Sequence, residues 1–157
     1  VAASAGALIF GQWQDKLGHV RTLALTLVAW CITVLLAWAA ESAAMFWLAA
    51  NVAGISLGAS QSAGRAMVGF MSPVHRRAEF FGLWGVAVKL SSILGPLTYG
   101  AVSWISGGDH RLAILITGSY FVIGLILLLG IDAARGHEAA GRPGAGDAFS
   151  TFPEKVR

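Results

Sequence analysis

Two stripes of polar and small residues run through apolar parts of this sequence, and both have helical spacing. The first comprises Asn51, Gly54, Gly58, Gln61 and Arg65, and the second comprises Gly82, Gly85, Lys89, Ser92, Pro96 and Tyr99. Intervals of three and four residues place each stripe on one face of an α-helix. Glycines at this spacing are also typical of close helix contacts in membranes. The amides, hydroxyls and ammonium group favour a second interpretation, in which the stripes line a cavity that binds a polar solute.

Lys89 is the charge that most needs an explanation, because it lies about 15 Å along a helix from Glu79, near the centre of an apolar segment. A lysine at mid-membrane costs about 2.5–3.5 kcal/mol on insertion scales, so it usually has a partner or a task. We favour contact with a substrate or coupling ion over a structural ion pair. Arg65 lies about 33 Å along its helix from Ala43, where its side chain can reach water, and there we favour the structural interpretation.

Residue types for catalysis or metal binding are missing from these apolar segments. Every Asp and Glu lies at or beyond a segment end, as do the four histidines, and Cys31 is the single cysteine. We find neither a nucleophile paired with a base nor a glycine-rich phosphate loop. The sequence therefore predicts no enzyme activity, no catalytic residues, no metal site and no cofactor.

The elements that must position the stripes are membrane-spanning helices. The sequence is 56% hydrophobic and only 12% charged, which is far too little charge to cover a soluble domain. A span needs about 20 apolar residues, and charged residues delimit four such stretches. Three are uncharged throughout, Thr22–Ala40, Ser42–Gly64 and Leu112–Ile131; the other opens at Glu79, is interrupted only by Lys89 and stays uncharged from Leu90 to Gly108. The apolar run from Val1 to Phe10 is shorter, and we interpret it as the end of a preceding helix. The predicted fold is an all-α polytopic transmembrane helix bundle.

Basic residues predict the orientation of the bundle. They occur in the first loop (Lys16, Arg21), the third loop (Arg76, Arg77) and the C-terminal segment (Arg135, Arg142, Lys155, Arg157), whereas the second loop has none and the fourth only Arg111. This alternation predicts that the first loop, the third loop and the C-terminus are cytoplasmic. It also accounts for the net charge of +3 without a nucleic-acid partner. We divide the chain into a membrane part, residues 1–131, and a flexible cytoplasmic tail, residues 132–157.

The first loop carries a recognisable motif, formed by Gly11, Asp15, Lys16, Gly18 and Arg21. Their spacing resembles the cytoplasmic-loop signature of the major facilitator superfamily, which occurs between helices 2 and 3 and again between helices 8 and 9. Four spans and a cytoplasmic tail follow the motif, as they follow the second signature loop in that family. The resemblance implies the end of helix 8 plus helices 9–12, in the C-terminal half of a transporter whose N-terminal half is missing here.

Shorter segments resemble the vacuole-effluxer-like branch of this superfamily. They are Gln61–Arg65, Ala78–Gly82, Lys89–Ser92 and Leu94–Leu97. The resemblance implies that helices 10 and 11, which carry the two stripes, line the transport cavity. It also implies amino acids as the exported solutes and, for a bacterial member, the inner membrane as the location.

The leading hypothesis is a secondary active transporter that works by alternating access. Its partners would be the lipid bilayer, the missing N-terminal half and a small anionic or zwitterionic solute attracted by Lys89. Asn51, Gln61, Ser92 and Arg65 would complete this half of the binding or coupling site. The alternative is a small multi-span membrane subunit or scaffold that transports nothing, which predicts a gene that starts near Val1.

Overall fold

The computed structural model describes residues 2–131 and Glu138, without the side chains of Trp13, Asp15 and Lys16. All regular structure in this part is helical, so the predicted all-α bundle is confirmed. The elements are α1 (Ala2–Leu17), α2 (His19–Ala39), α3 (Ala43–Met71), a 3-10 turn (Val74–Arg76), α4 (Arg77–Ile105) and α5 (His110–Leu129). Apart from Glu138, the predicted tail of residues 132–157 lies outside the described residues.

The connections between helices are shorter than the sequence suggests. The predicted first loop, residues 12–21, is almost entirely helical, and the chain turns at Gly18, whose φ of 84° favours glycine. Its carbonyl accepts hydrogen bonds from the backbone N–H and the hydroxyl of Thr22, the latter at 2.9 Å, so the first turn of α2 closes directly on the bend. The motif therefore forms a tight corner between two helices.

The two connections on the opposite side are closed by capping side chains. Ser42 Oγ accepts a 3.3 Å hydrogen bond from the Met45 N–H at the start of α3. Asp109 Oδ1 does the same at the start of α5, 3.0 Å from the Leu112 nitrogen. Both satisfy a backbone donor that the first helical turn leaves free. Gly107 and Gly108 have φ values of 69° and 98°, which allow the reversal after α4.

Four helices are long and apolar enough to cross a membrane, which agrees with the four predicted spans. The mean hydropathy is 2.1 for α2 and 2.6 for α5, but only 1.4 for α3 and 1.5 for the segment Val74–Ile105 that contains α4. Many large apolar side chains are exposed, Trp104 by 84% for example. Apolar surfaces of this kind are stable in contact with lipid and unfavourable in contact with water. The chain is therefore part of a multi-pass membrane protein.

Packing in the bundle centres on α3 and α2. Helix α3 packs on α1 and α2, and α2 packs on α5; α4 lies mainly beside α5, with fewer contacts to α3. No residue of α4 is buried. The described part of the chain thus leaves α4 open along most of its length.

Backbone-to-backbone proximity holds α1 against α3. A Cβ atom added to Gly58 would overlap the carbonyl oxygen of Ala3, and one added to Gly6 would overlap the carbonyl oxygen of Ile55. Gly58 is on α3 and Gly6 is on α1, so each helix contributes one glycine to the same kind of contact. Small residues permit this close approach, which supplies the van der Waals contact that holds helices together in lipid.

Candidate functional site

A crevice of about 870 Å³ lies between α2, α3 and α4. Trp30 contributes from α2, Leu57 and Gln61 from α3, and the α4 wall comprises Trp84, Ala87, Val88, Ser91, Ser92 and Pro96. The crevice exists because α4 approaches α3 over only part of its length. Its volume lies in the range of about 300–1,000 Å³ that small-molecule sites occupy.

Gln61 is the principal polar group on the α3 side of this crevice. It lies about 15 Å along the helix from Met71, close to mid-membrane. Its amide makes no hydrogen bond to any described residue, whereas Ser91 and Ser92 donate to the carbonyl oxygens of Ala87 and Lys89. An amide in an apolar setting needs partners, so Gln61 is available to hydrogen-bond a solute.

Arg65 lies one helical turn beyond Gln61 on the same face. Its guanidinium carbon is 5.5 Å from the centre of the Trp84 ring, a cation–π contact that connects α3 with α4. Arg65 and Gln61 also line a groove of about 690 Å³ against α1, together with Ser4 and Ser62. Gln61 therefore borders both cavities, and Trp84 both lines the crevice and contacts the Arg65 guanidinium.

Lys89 is on α4, about 18 Å along the helix from Arg77, at nearly the depth of Gln61. Its side chain is exposed and forms no ion pair with a described residue. It does not line the crevice, although Ser92, one turn further, does. The structure brings Gln61 and Ser92 together and leaves Lys89 on an uncovered part of α4.

Asn51 is separated from these residues. It lies about 12 Å along α3 from Ala43, toward the other membrane face, and its amide donates a 2.9 Å hydrogen bond to the Trp47 carbonyl. It borders none of the cavities described above. The stripe on α3 thus does not form one surface. Asn51 lies toward one membrane face, and Gln61 and Arg65 lie toward the other.

The glycines of the two stripes differ in their surroundings. Gly54 and Gly58 lie against Ala2 and Ala3 of α1, which is the close-packing interpretation of that spacing. Gly82 and Gly85 on α4 have no atom within 4 Å of an added Cβ. The glycines have similar spacing on the two helices, but they pack tightly on α3 and have no close neighbour on α4.

The loop motif is placed at the corner between α1 and α2. Gly18 forms the bend, and Arg21 is exposed on the first turn of α2. An added methyl on Gly11 would meet Ser62 Oγ at 3.8 Å, an ordinary contact, so close helix approach does not require glycine there. The side chains of Asp15 and Lys16 are outside the described set.

Sequence reasoning missed a buried polar contact at this corner. Gln14 is only 4% exposed, and its amide nitrogen lies 2.6 Å from His19 Nδ1 and 3.4 Å from the Ala63 carbonyl oxygen. His19 also packs on Phe70, with ring centres 4.5 Å apart. These contacts connect the bend to α3. Nothing distinguished Gln14 in the sequence, because it lies among the polar residues Gln12, Asp15 and Lys16.

Comparison with known proteins gives one family match, to the model described as Major Facilitator Superfamily, over residues 1–156. Among curated relatives, an uncharacterized MFS-type transporter, YxiO, of Bacillus subtilis is 27% identical over 82% of this chain and 30% of its own length. Autophagy-related protein 22 of Kluyveromyces lactis is 32% identical over 55% of the chain and 18% of its own length.

A third relative, the class E tetracycline resistance protein of Escherichia coli, is 26% identical over 78% of the chain and 30% of its own length. The chain thus spans no more than 30% of the length of any of these three relatives. No solved structure matches it.

Proposed function

Because the chain belongs to the Major Facilitator Superfamily, we propose that the protein containing it is a secondary active transporter. It moves a small solute across the membrane by alternating access, in which two helical halves rock around a central site. The observation that carries this proposal is the mid-membrane crevice between α2, α3 and α4, where Gln61 has no hydrogen-bonding partner among the described residues. A solute in this crevice would meet an apolar wall and a polar group at the depth where transporters bind.

Comparison with relatives favours this activity over an enzyme and over the alternative of a non-transporting subunit or scaffold. The relatives bear names such as MFS-type transporter and metabolite transport protein, and they are more than twice as long as this chain. That length agrees with a transporter in which an N-terminal half precedes these helices. The finer proposal is amino-acid efflux in the vacuole-effluxer-like branch, supported by the resemblance of Gln61–Arg65 and Lys89–Ser92 and by a fungal relative beside bacterial ones.

In this proposal the polar residues of α3 and α4 have distinct tasks. Gln61 and Ser92 contact the solute in the crevice, while Lys89 attracts its negative charge from the uncovered face of α4. Arg65 stabilises the cytoplasmic end of the site through Trp84, and Asn51 acts nearer the opposite membrane face. An anionic or zwitterionic solute fits because the described spans contain two cations and no carboxylate in their interiors.

The corner between α1 and α2 is the proposed conformational element. Gly11, Asp15, Lys16, Gly18 and Arg21 form the motif, and the bend at Gly18 sets the angle between the two helices. The proposed mechanism includes no cofactor.

The proposed location is the bacterial inner membrane, with the C-terminus in the cytoplasm, because basic residues concentrate on that side. A C-terminal fusion to green fluorescent protein should fluoresce, and a fusion to alkaline phosphatase at the same position should be inactive. A phosphatase inserted between Gly107 and Gly108, in the predicted outer loop, should be active. The reverse pattern at the two positions would refute this orientation.

Replacing Gln61 by leucine tests the site directly. We expect about a tenfold lower rate of amino-acid counterflow in proteoliposomes made with the complete transporter, since an amide–carboxylate hydrogen bond is lost. Ser119→Leu is the matched control, because Ser119 is exposed on α5 and borders neither the crevice nor the α1 groove. A Gln61→Leu rate equal to that of the control would show that Gln61 does not contact the solute.

A further inference from the structure

Two indole side chains dominate the crevice, and each is already held on one side. Trp30 stacks on Phe121 with ring centres 4.8 Å apart and planes 7° from parallel, and its Nε1 donates to Ser60 Oγ at 3.4 Å. Trp84 carries the Arg65 guanidinium at 5.5 Å. Both indoles still line the crevice, one from α2 and the other from α4. Rings held in this way are ordered before any ligand enters, which lowers the entropic cost of binding.

Indole walls favour an aromatic ring over an aliphatic group of the same size. Stacked or edge-to-face ring pairs gain free energy beyond what their buried area provides, and two such contacts amount to roughly a tenfold preference. The remaining apolar lining, from Leu57, Val88 and Pro96, contributes area without this preference. The crevice therefore discriminates by ring type as well as by size.

Charge decides which aromatic solute fits. Tryptophan faces also attract cations, so a cationic ring compound is the competing possibility. Arg65 already lies over Trp84, Lys89 is at a similar depth, and no carboxylate lies in the interior of a described span, since Glu79 is in the first turn of α4. A cationic ring would compete with Arg65 for Trp84 and would find no carboxylate among the residues that line the crevice, whereas a carboxylate would find the Gln61 amide as a donor and the Arg65 guanidinium one helical turn away.

We infer that the crevice between α2, α3 and α4 binds a solute with a planar aromatic ring and a carboxylate, the ring lying between Trp30 and Trp84. This inference rests on the proposed function for the crevice as a transport site, and it narrows the solute to aromatic carboxylates. The carboxylate lies toward Gln61, which borders both the crevice and the groove that contains Arg65.

Equilibrium binding of labelled phenylalanine to the purified complete transporter tests the inference, with three competitors. Phenylacetate keeps the ring and the carboxylate, cyclohexylalanine keeps the size and the head group without an aromatic ring, and phenethylamine keeps the ring with a positive charge. We expect phenylacetate to compete well, and the other two to compete at least about tenfold more weakly than unlabelled phenylalanine. Equal competition by cyclohexylalanine or by phenethylamine would overturn the inference.

Variants of Trp84 give a second measurement. Trp84→Leu should abolish the preference for phenylalanine over cyclohexylalanine, and Trp84→Phe should retain most of it. Trp104→Leu is the control, since Trp104 is 84% exposed at the end of α4 and remote from the crevice. If Trp84→Leu keeps the preference for phenylalanine over cyclohexylalanine, the aromatic ring of the solute does not contact Trp84.

The binding assay separates this inference from the proposed function. Selective binding of phenylalanine without any flux in proteoliposomes would support the aromatic site and refute the transporter. Amino-acid flux without aromatic selectivity would support the transporter and refute the aromatic site. Absence of both binding and flux would refute both.

Discussion

Replacement of Lys89 by alanine is expected to reduce transport by the complete protein to background, while the amount of protein in the membrane stays the same. The reason is that Lys89 is a charge near mid-membrane on a helix without a single buried residue. A lysine there opposes membrane insertion by about 2.5–3.5 kcal/mol, so its removal should not impair folding. Its loss should instead remove the attraction for an anionic group on the solute.

The measurement is counterflow of a labelled solute in proteoliposomes, normalised to protein content. Lys89→Arg, which keeps the charge but changes its shape, should retain part of the rate. Arg111→Ala removes a positive charge from the predicted outer loop and is the control for net charge. Full transport by Lys89→Ala would refute the assignment. Loss of Lys89→Ala protein from the membrane would indicate a structural ion pair with a partner outside the described residues.

Replacement of Gly58 by alanine is expected to destabilise the protein strongly. The added Cβ would overlap the carbonyl oxygen of Ala3, a backbone atom that cannot rotate away, so α1 must move off α3. Overpacking of a well-packed site typically costs about 1–3 kcal/mol, and a rigid backbone neighbour places this site at the upper end. The measurement is the thermal unfolding midpoint of the complete protein in detergent, together with its yield after size exclusion.

Gly124→Ala is the matched control, because it makes the same change within α5. There the new methyl would meet the Leu27 side chain at 4.0 Å, which is ordinary contact. Alanine is also the better helix former, so this variant should be as stable as the parent or slightly more so. Equal unfolding midpoints for the two variants would show that α1 does not pack on α3 through Gly58.

Much of the fold follows from one-dimensional patterns. Uncharged runs of span length predict α2 to α5 to within a few residues at most ends, because the bilayer thickness sets the length of any apolar helix. The predicted and observed ends differ most where charges lie inside helices. Arg21 and Lys16 suggested a long first loop, yet helix continues on both sides of Gly18, since charged side chains at a membrane surface are compatible with helical backbone.

The candidate site was harder to predict, because a stripe shows which residues share a helix face but not which element packs against that face. Asn51, Gly58 and Gln61 share one spacing, but in the structure Asn51 bonds to its own helix, Gly58 packs on α1 and Gln61 lines the crevice. Trp30 lies on α2, which carries neither stripe, so nothing in its sequence context indicated that it lines the crevice. Trp84 and Arg65 are 19 positions apart on antiparallel helices, and their contact needs the packing of α3 beside α4.

Composition and charge spacing alone determined that this is a multi-pass helical membrane chain, and the loop motif with its four following spans pointed to the superfamily. These properties are local, because each depends on how a single segment partitions between water and lipid. Which polar residues meet was decided by tertiary packing. The approach of α1 to α3 covers the glycines, and the separation of α4 from α3 opens the crevice beside Gln61. Lys89 was prominent in the sequence for its depth alone, and the structure adds that its side chain is exposed and forms no ion pair with a described residue.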